Sequence, residues 1–187
     1  MPSVTDIANI ALSELGADLI MDIGENTRNA KICQARYPDV RDAVLRSHPW
    51  NCATSRFSVP AEGEVPAYGF GAQYPLPTSP YCLRIIELED PGLRWKLEGR
   101  RILTDAVGPL RGLYIGRIGE DLMDALLVQS LAMRLGAAVA YRLTTSQTQV
   151  DRMTKLYRDM ISEARSIDAQ EGVPDEMPDS TILNARY

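Results

Sequence analysis

Between Leu122 and Leu143 the chain is apolar on nearly every side. Leu122, Leu126, Leu127, Leu131, Leu135 and Val139 recur at helical spacing among alanines and glycines. A helix without a polar face has to be covered by other elements, so this segment predicts a central helix with closely packed neighbours. A bilayer could also cover it, but Asp124, Gln129, Arg134 and Arg142 interrupt the run. Each of the three charges among them costs about 2.5–3.5 kcal/mol at the centre of a membrane span, so a protein interior, with no membrane contact, is the expected cover.

Three further helices are in place to provide it. Ser3 with Asp6 forms a capping box, and Val4, Ile7, Ala8, Ala11, Leu12 and Leu15 then lead to a stop at Gly16, predicting a helix over about 3–15. A second helix is expected to start near Glu25-Asn26-Thr27 and to bury Ala30, Cys33, Tyr37, Val40 and Val44. Pro38 inside it predicts a kink near residues 34–38 within one helix. The third helix is expected from the acids Glu120 and Asp121 after Gly119. Ser146 with Gln149 reads as another capping box. It opens a helix to about Ala169, with Val150, Met153, Tyr157, Met160, Ile161, Ala164 and Ile167 as its buried stripe.

The second helix ends abruptly. In RDAVLRSHPWNCA, residues 41–53, Pro49 forces His48 out of helical geometry, so the helix stops at about Ser47. Beyond it the pattern changes: seven of the 12 prolines lie between residues 60 and 109, among short β-type runs. Residues 94–97 and 101–104 read as a hairpin, and Tyr81 to Leu88 and Leu113 to Ile118 as further strands. The expected class is α+β: a four-helix core made of residues 1–53 and 119–169, a small antiparallel β-rich insertion at 54–118 between helices 2 and 3, and an extended C-terminal arm at 170–187. That arm has two prolines, few apolar groups and four acids against one base. A length of 187 residues at 45% hydrophobic content suits one core with an appended module.

The net charge of −5 disfavours binding to phosphate backbones, and no segment is strongly basic. Cys33, Cys52 and Cys82 are too widely spaced, and too few in histidine company, for a zinc site or a disulfide framework, so free thiols and no metal or cofactor are expected. Residues 1–20 lack the pattern of a secretory signal. His48, the single histidine, could act as a general base, but no nucleophile motif accompanies it, and a corner residue packed on Trp50 is the better reading. Gly69-Phe70-Gly71 is a loop and not a dinucleotide fingerprint, Arg100-Arg101 a solvated turn, and Met153 and Met160 are core. In the arm, Ile182, Leu183, Arg186 and Tyr187 are candidates for docking to a partner.

Taken in chain order, several runs resemble the tail tubular protein A family, the head-to-tail adaptors of short-tailed bacteriophages. The likeness is carried by A-L-x-x-L-G at 11–16, ENTRNAKIC at 25–33, RDAVLRSHPWNCA, PTSPYCLR at 77–84, WKLEGRRILTD at 95–105 and LYI at 113–115. LA-x-RL at 131–135 and the run from Ala140 to Thr144 complete it. It spans roughly residues 7–170. Cys52 departs from the family by standing where an aromatic is expected, and the insertion is short.

The resemblance implies a non-enzymatic virion protein, made in the host cytoplasm and located in the phage neck. It would form a ring of identical subunits, twelve to match a portal, between portal and tail nozzle. DNA would pass through its lumen without sequence-specific binding, and Ile182, Leu183, Arg186 and Tyr187 would dock on the portal. An acidic chain suits such a conduit, because like charge suppresses phosphate contacts. A head-completion or stopper protein of a longer-tailed phage would share the helical core, and a hydrolase built around His48 is the enzymatic alternative. Within the adaptor reading His48, Pro49 and Trp50 are the junction anchor between helices and insertion.

Overall fold

Ser3 opens the fold. Its hydroxyl accepts the Asp6 amide at 3.2 Å while the Asp6 carboxylate accepts the Ser3 amide at 2.9 Å, and α1 runs from Val4 to Glu14. The computed structural model describes residues 1–171 as an α+β fold of four helices and two three-stranded antiparallel sheets. Helix α2, Arg28–Arg46, starts after Thr27, whose hydroxyl accepts the Ala30 amide, and continues through Pro38 as one helix. Glu25 serves the preceding loop instead, taking the Met21 amide at 3.0 Å and the Thr27 hydroxyl at 2.7 Å.

The acids at Glu120 and Asp121 do not start the third helix as expected. They lie in a single 3₁₀ turn, Glu120–Leu122, and α3 spans Ala125–Thr144. Asp124 is the cap, its carboxylate accepting the Leu126 and Leu127 amides at 2.8 and 2.9 Å. Helix α4, Gln147–Asp168, is capped by Ser146, but the Gln149 side-chain oxygen is buried without a partner, so only half of the second capping box forms. Ile167 leaves the predicted stripe and is 42% exposed. Asp168 takes the inward position, following Ile161 and Ala164 at helical spacing.

As its apolar circumference requires, α3 is central and packs on α1, α2 and α4. Close approach depends on Gly136: a β-carbon there would run into the Met153 side chain and lie 3.7 Å from the Ala11 methyl. Met153 is fully buried, and Met160 packs partly buried against the same core.

The insertion holds two sheets where the sequence suggested one small module. Strands β1 (Thr54–Val59), β3 (Cys82–Leu88) and β6 (Leu110–Gly116) form the first, in the order β1-β6-β3; β2 (Ala72–Pro75), β4 (Trp95–Glu98) and β5 (Arg101–Thr104) form the second, in the order β2-β5-β4. The expected hairpin joins β4 to β5 through Gly99-Arg100, and Gly99 adopts φ +53°, which a two-residue loop requires of its first position.

Strand alternation gives β6 two roles. Ile115 enters the helical core together with Ala53 and Ile118, whereas its neighbour Tyr114 joins Phe57, Ile85, Tyr74 and Ile102 in a second core between the sheets. Helices, first sheet and second sheet are therefore three successive layers, and the corner at residues 47–54 lies where the first two meet. Among the described residues no helix is long and apolar enough to cross a membrane.

Candidate functional site

The corner is assembled from the end of α2 and the end of α4. With Pro49 ending helical geometry, the chain turns and brings Trp50 back beneath α2. The Trp50 ring is 0% exposed, and its indole N–H donates to the Val44 carbonyl at 3.1 Å. The His48 ring meets it edge-on, with centroids 4.7 Å apart. Thr54, the first residue of β1, donates its hydroxyl to the Trp50 carbonyl at 2.8 Å, which ties the strand to the same anchor.

Asp168 holds the corner from the other side. One carboxylate oxygen lies 3.1 Å from His48 Nε2, the other accepts the Asn51 amide at 3.0 Å, and the Asp168 carbonyl accepts the Asn51 side-chain amide at 2.6 Å. Arg165, one turn earlier, donates to the Ser47 hydroxyl at 2.9 Å. A buried carboxylate is costly unless hydrogen-bonded, and these contacts satisfy it. The histidine and the aspartate thus have the spacing of an acid–base dyad. Among the described residues no hydroxyl or thiol is hydrogen-bonded to the His48 ring, whose Nε2 faces Asp168.

A second contact region joins the middle of α2 to the first sheet. Tyr37 donates its hydroxyl to Glu120 at 2.8 Å, Arg41 reaches both Glu120 and Asp42, and Arg117 makes a two-pronged pair with Asp42. Burial, reinforced by the Glu120 carboxylate, pushes the Tyr37 hydroxyl far above its ordinary pKa. Farther along, Arg46 donates to the Leu83 carbonyl, and the Tyr81 ring carries two guanidinium groups, Arg100 at 3.9 Å and Arg117 at 4.5 Å. Arg100 therefore folds over the sheet, while its neighbour Arg101 pairs with Glu62 at 2.6 Å. The Gly69-Phe70-Gly71 loop is held by Arg94, which donates to the Gly69 carbonyl at 2.7 Å and covers the Phe70 ring.

All three cysteines are free thiols. Cys33 is fully buried, and burial pushes its thiol from 9.0 up to about 11. Iodoacetamide at mildly alkaline pH is expected to leave Cys33 unlabelled until the chain unfolds. Linkage gives a second consequence. Below the unfolded value both states hold the proton; above it the unfolded chain releases the proton first, so the stability contributed by the neutral thiol is lost as pH rises from about 9 to about 11. Denaturant midpoints across that range should fall further for the native chain than for Cys33→Ala; parallel curves would contradict this.

His48, Pro49 and Trp50 thus come together with Asn51, Arg165 and Asp168 at one corner. The docking candidates Ile182, Leu183, Arg186 and Tyr187 lie outside the described residues. Asp168 was missed from sequence, although a carboxylate continuing the Ile161 and Ala164 stripe was the available signal. The arginines around Tyr81 were missed too, since Arg46, Tyr81, Arg100 and Arg117 are far apart in the chain and each alone reads as a solvated charge. No protein-family model matches the chain, and a search of curated proteins finds no match.

Proposed function

We propose that this chain is a structural, non-enzymatic adaptor subunit of a short-tailed phage, closing into a twelve-membered ring between portal and nozzle around a channel for DNA. The observation that supports the reading is the order of elements: two helices, a β-rich insertion, then two more helices, with RSHPWN forming the corner between them. Its place is the virion neck, after synthesis in the host cytoplasm, and residues 171–187 are the portal-docking arm.

A ring of identical subunits needs two different contact faces on each copy. Two exposed apolar groups suit this. Ile167 lines a slot of about 170 Å³ between the start of α3 and the end of α4, and Leu122, 60% exposed, lies in the 3₁₀ turn that precedes α3. Leu19 and Met21, 62% and 92% exposed, lie in the α1–α2 loop. That loop belongs to the other end of α4, where Arg152 bonds Glu14 at the close of α1 and Arg28 bonds the Arg142 carbonyl. Ile167→Asp and Met21→Asp are each expected to abolish ring assembly in sedimentation while leaving the circular dichroism of the subunit intact. Assembly unchanged by both substitutions would count against these faces.

A further inference from the structure

Leu103 is buried outside both cores. It is 7% exposed, yet it faces away from the core between the sheets, because its neighbour Ile102 fills that core and side chains alternate along a strand. Gln73 stands opposite it on β2 and Lys96 on β4, so Gln73, Leu103 and Lys96 form one row across the outer face of the second sheet. Loop 66–70 covers this row, and between loop and sheet lies a cavity of about 440 Å³. The loop is fixed in place by Arg94, which donates to the Gly69 carbonyl, and by the Asp105 carboxylate, which accepts the Gly71 amide at 2.8 Å.

Gln73 lines the cavity and is 8% exposed, and among the described residues its side-chain amide has no hydrogen-bond partner. Its backbone carbonyl is already engaged, accepting the Glu62 amide at 2.8 Å. A polar side chain buried to that degree is ordinarily paired, so this amide calls for a group that both donates and accepts. The charges around the cavity are matched: Lys96 pairs with Glu98 at 2.7 Å and Arg101 with Glu62 at 2.6 Å. A phosphate or carboxylate would have to break one of these pairs, whereas an uncharged ligand leaves both in place. Hydroxyl groups meet these demands, since each donates and accepts at once. Leu103 and Tyr68, the latter 89% exposed, add apolar surface for the C–H face of a ring.

We propose that this cavity holds one ring of a neutral saccharide, with the Gln73 amide and the Lys96–Glu98 pair taking its hydroxyls and Tyr68 lying against its apolar face. The unpartnered amide in a cavity of small-molecule size carries the inference. The site is built within the insertion of a single chain and does not depend on the adaptor reading.

The test uses the full chain, isotope-labelled and titrated by NMR with the methyl glycosides of glucose, galactose, mannose and N-acetylglucosamine at millimolar concentration. At least one of them is expected to shift the amides of loop 66–70 and of the row Gln73, Leu103 and Lys96 to saturation. Tyr68→Ala removes a side chain that is almost wholly exposed, and should weaken that glycoside several-fold with the rest of the spectrum unchanged. Gln73→Leu should weaken it by more than about tenfold. The uronic acid of the same sugar should bind less well than the neutral form. No saturable shift with any of the glycosides, shifts centred elsewhere on the surface, tighter binding of the uronate, or binding untouched by Tyr68→Ala would each overturn the proposal.

Discussion

Replacing Trp50 by alanine is expected to lower stability by about 3–5 kcal/mol, the range for deleting a fully buried large aromatic ring. In a chain of this size that corresponds to roughly 6–20 °C in melting temperature. The loss combines three contacts: the packing of a ring with no exposed surface, the edge-on contact with His48, and the hydrogen bond to Val44. Trp50→Phe separates them. The Val44 carbonyl also accepts the Ser47 amide and hydroxyl, so it stays satisfied when the indole N–H is removed, and phenylalanine should recover more than half of the loss. A melting temperature unchanged in Trp50→Ala would remove the anchor role altogether.

Asp168→Ala carries the second large effect, about 2–4 kcal/mol. The part-buried Asn51 amide loses its acceptor and His48 loses its partner, and a donor left unsatisfied costs up to about 1–3 kcal/mol when it is fully buried. Asn51 and Asp168 are 117 positions apart, so this carboxylate fastens the last turn of α4 to the start of the insertion. Asp168→Asn keeps an oxygen for the Asn51 amide and should cost clearly less. The two variants are compared by urea denaturation near neutral pH. Equal midpoints for Asp168→Ala and the native chain would show that the clamp contributes nothing to stability.

How legible these features were depended on how local they are. The Ser3–Asp6 box, the Pro49 stop and the hairpin at Gly99 each operate within a few residues, and the pattern showed all three. The apolar circumference of α3 was just as plain, because only a surrounded helix can look like that. Glu120 and Asp121 misplaced its start because acids ahead of an apolar run imitate a first turn, while the true cap, Asp124, comes after Leu122. Strands β1 and β2 passed unnoticed: Thr54–Val59 carries Thr, Ser, Arg and Ser among its six residues, and Ala72–Pro75 is four residues long and ends in proline. The separation into two sheets is a question of pairing, which a single sequence does not encode at short range.

The site shows the same division. Trp50 could be named because proline chemistry marks the corner, whereas Asp168 and the arginines around Tyr81 act through partners that only the fold brings near. Tyr114 and Ile115, adjacent on β6, also show why the insertion is not a detachable module: one side chain belongs to the sheet core and the other to the helical core. A change in the insertion should therefore be felt in the helices that are proposed to build the ring.

The adaptor reading is tested most directly by the native mass of the full chain, measured alone and after mixing with a portal protein from the same genome. The account predicts a closed ring in at least one of the two conditions, with one copy of this chain per portal subunit in the mixture. A chain that stays monomeric in both and leaves the mass of the portal unchanged would contradict it.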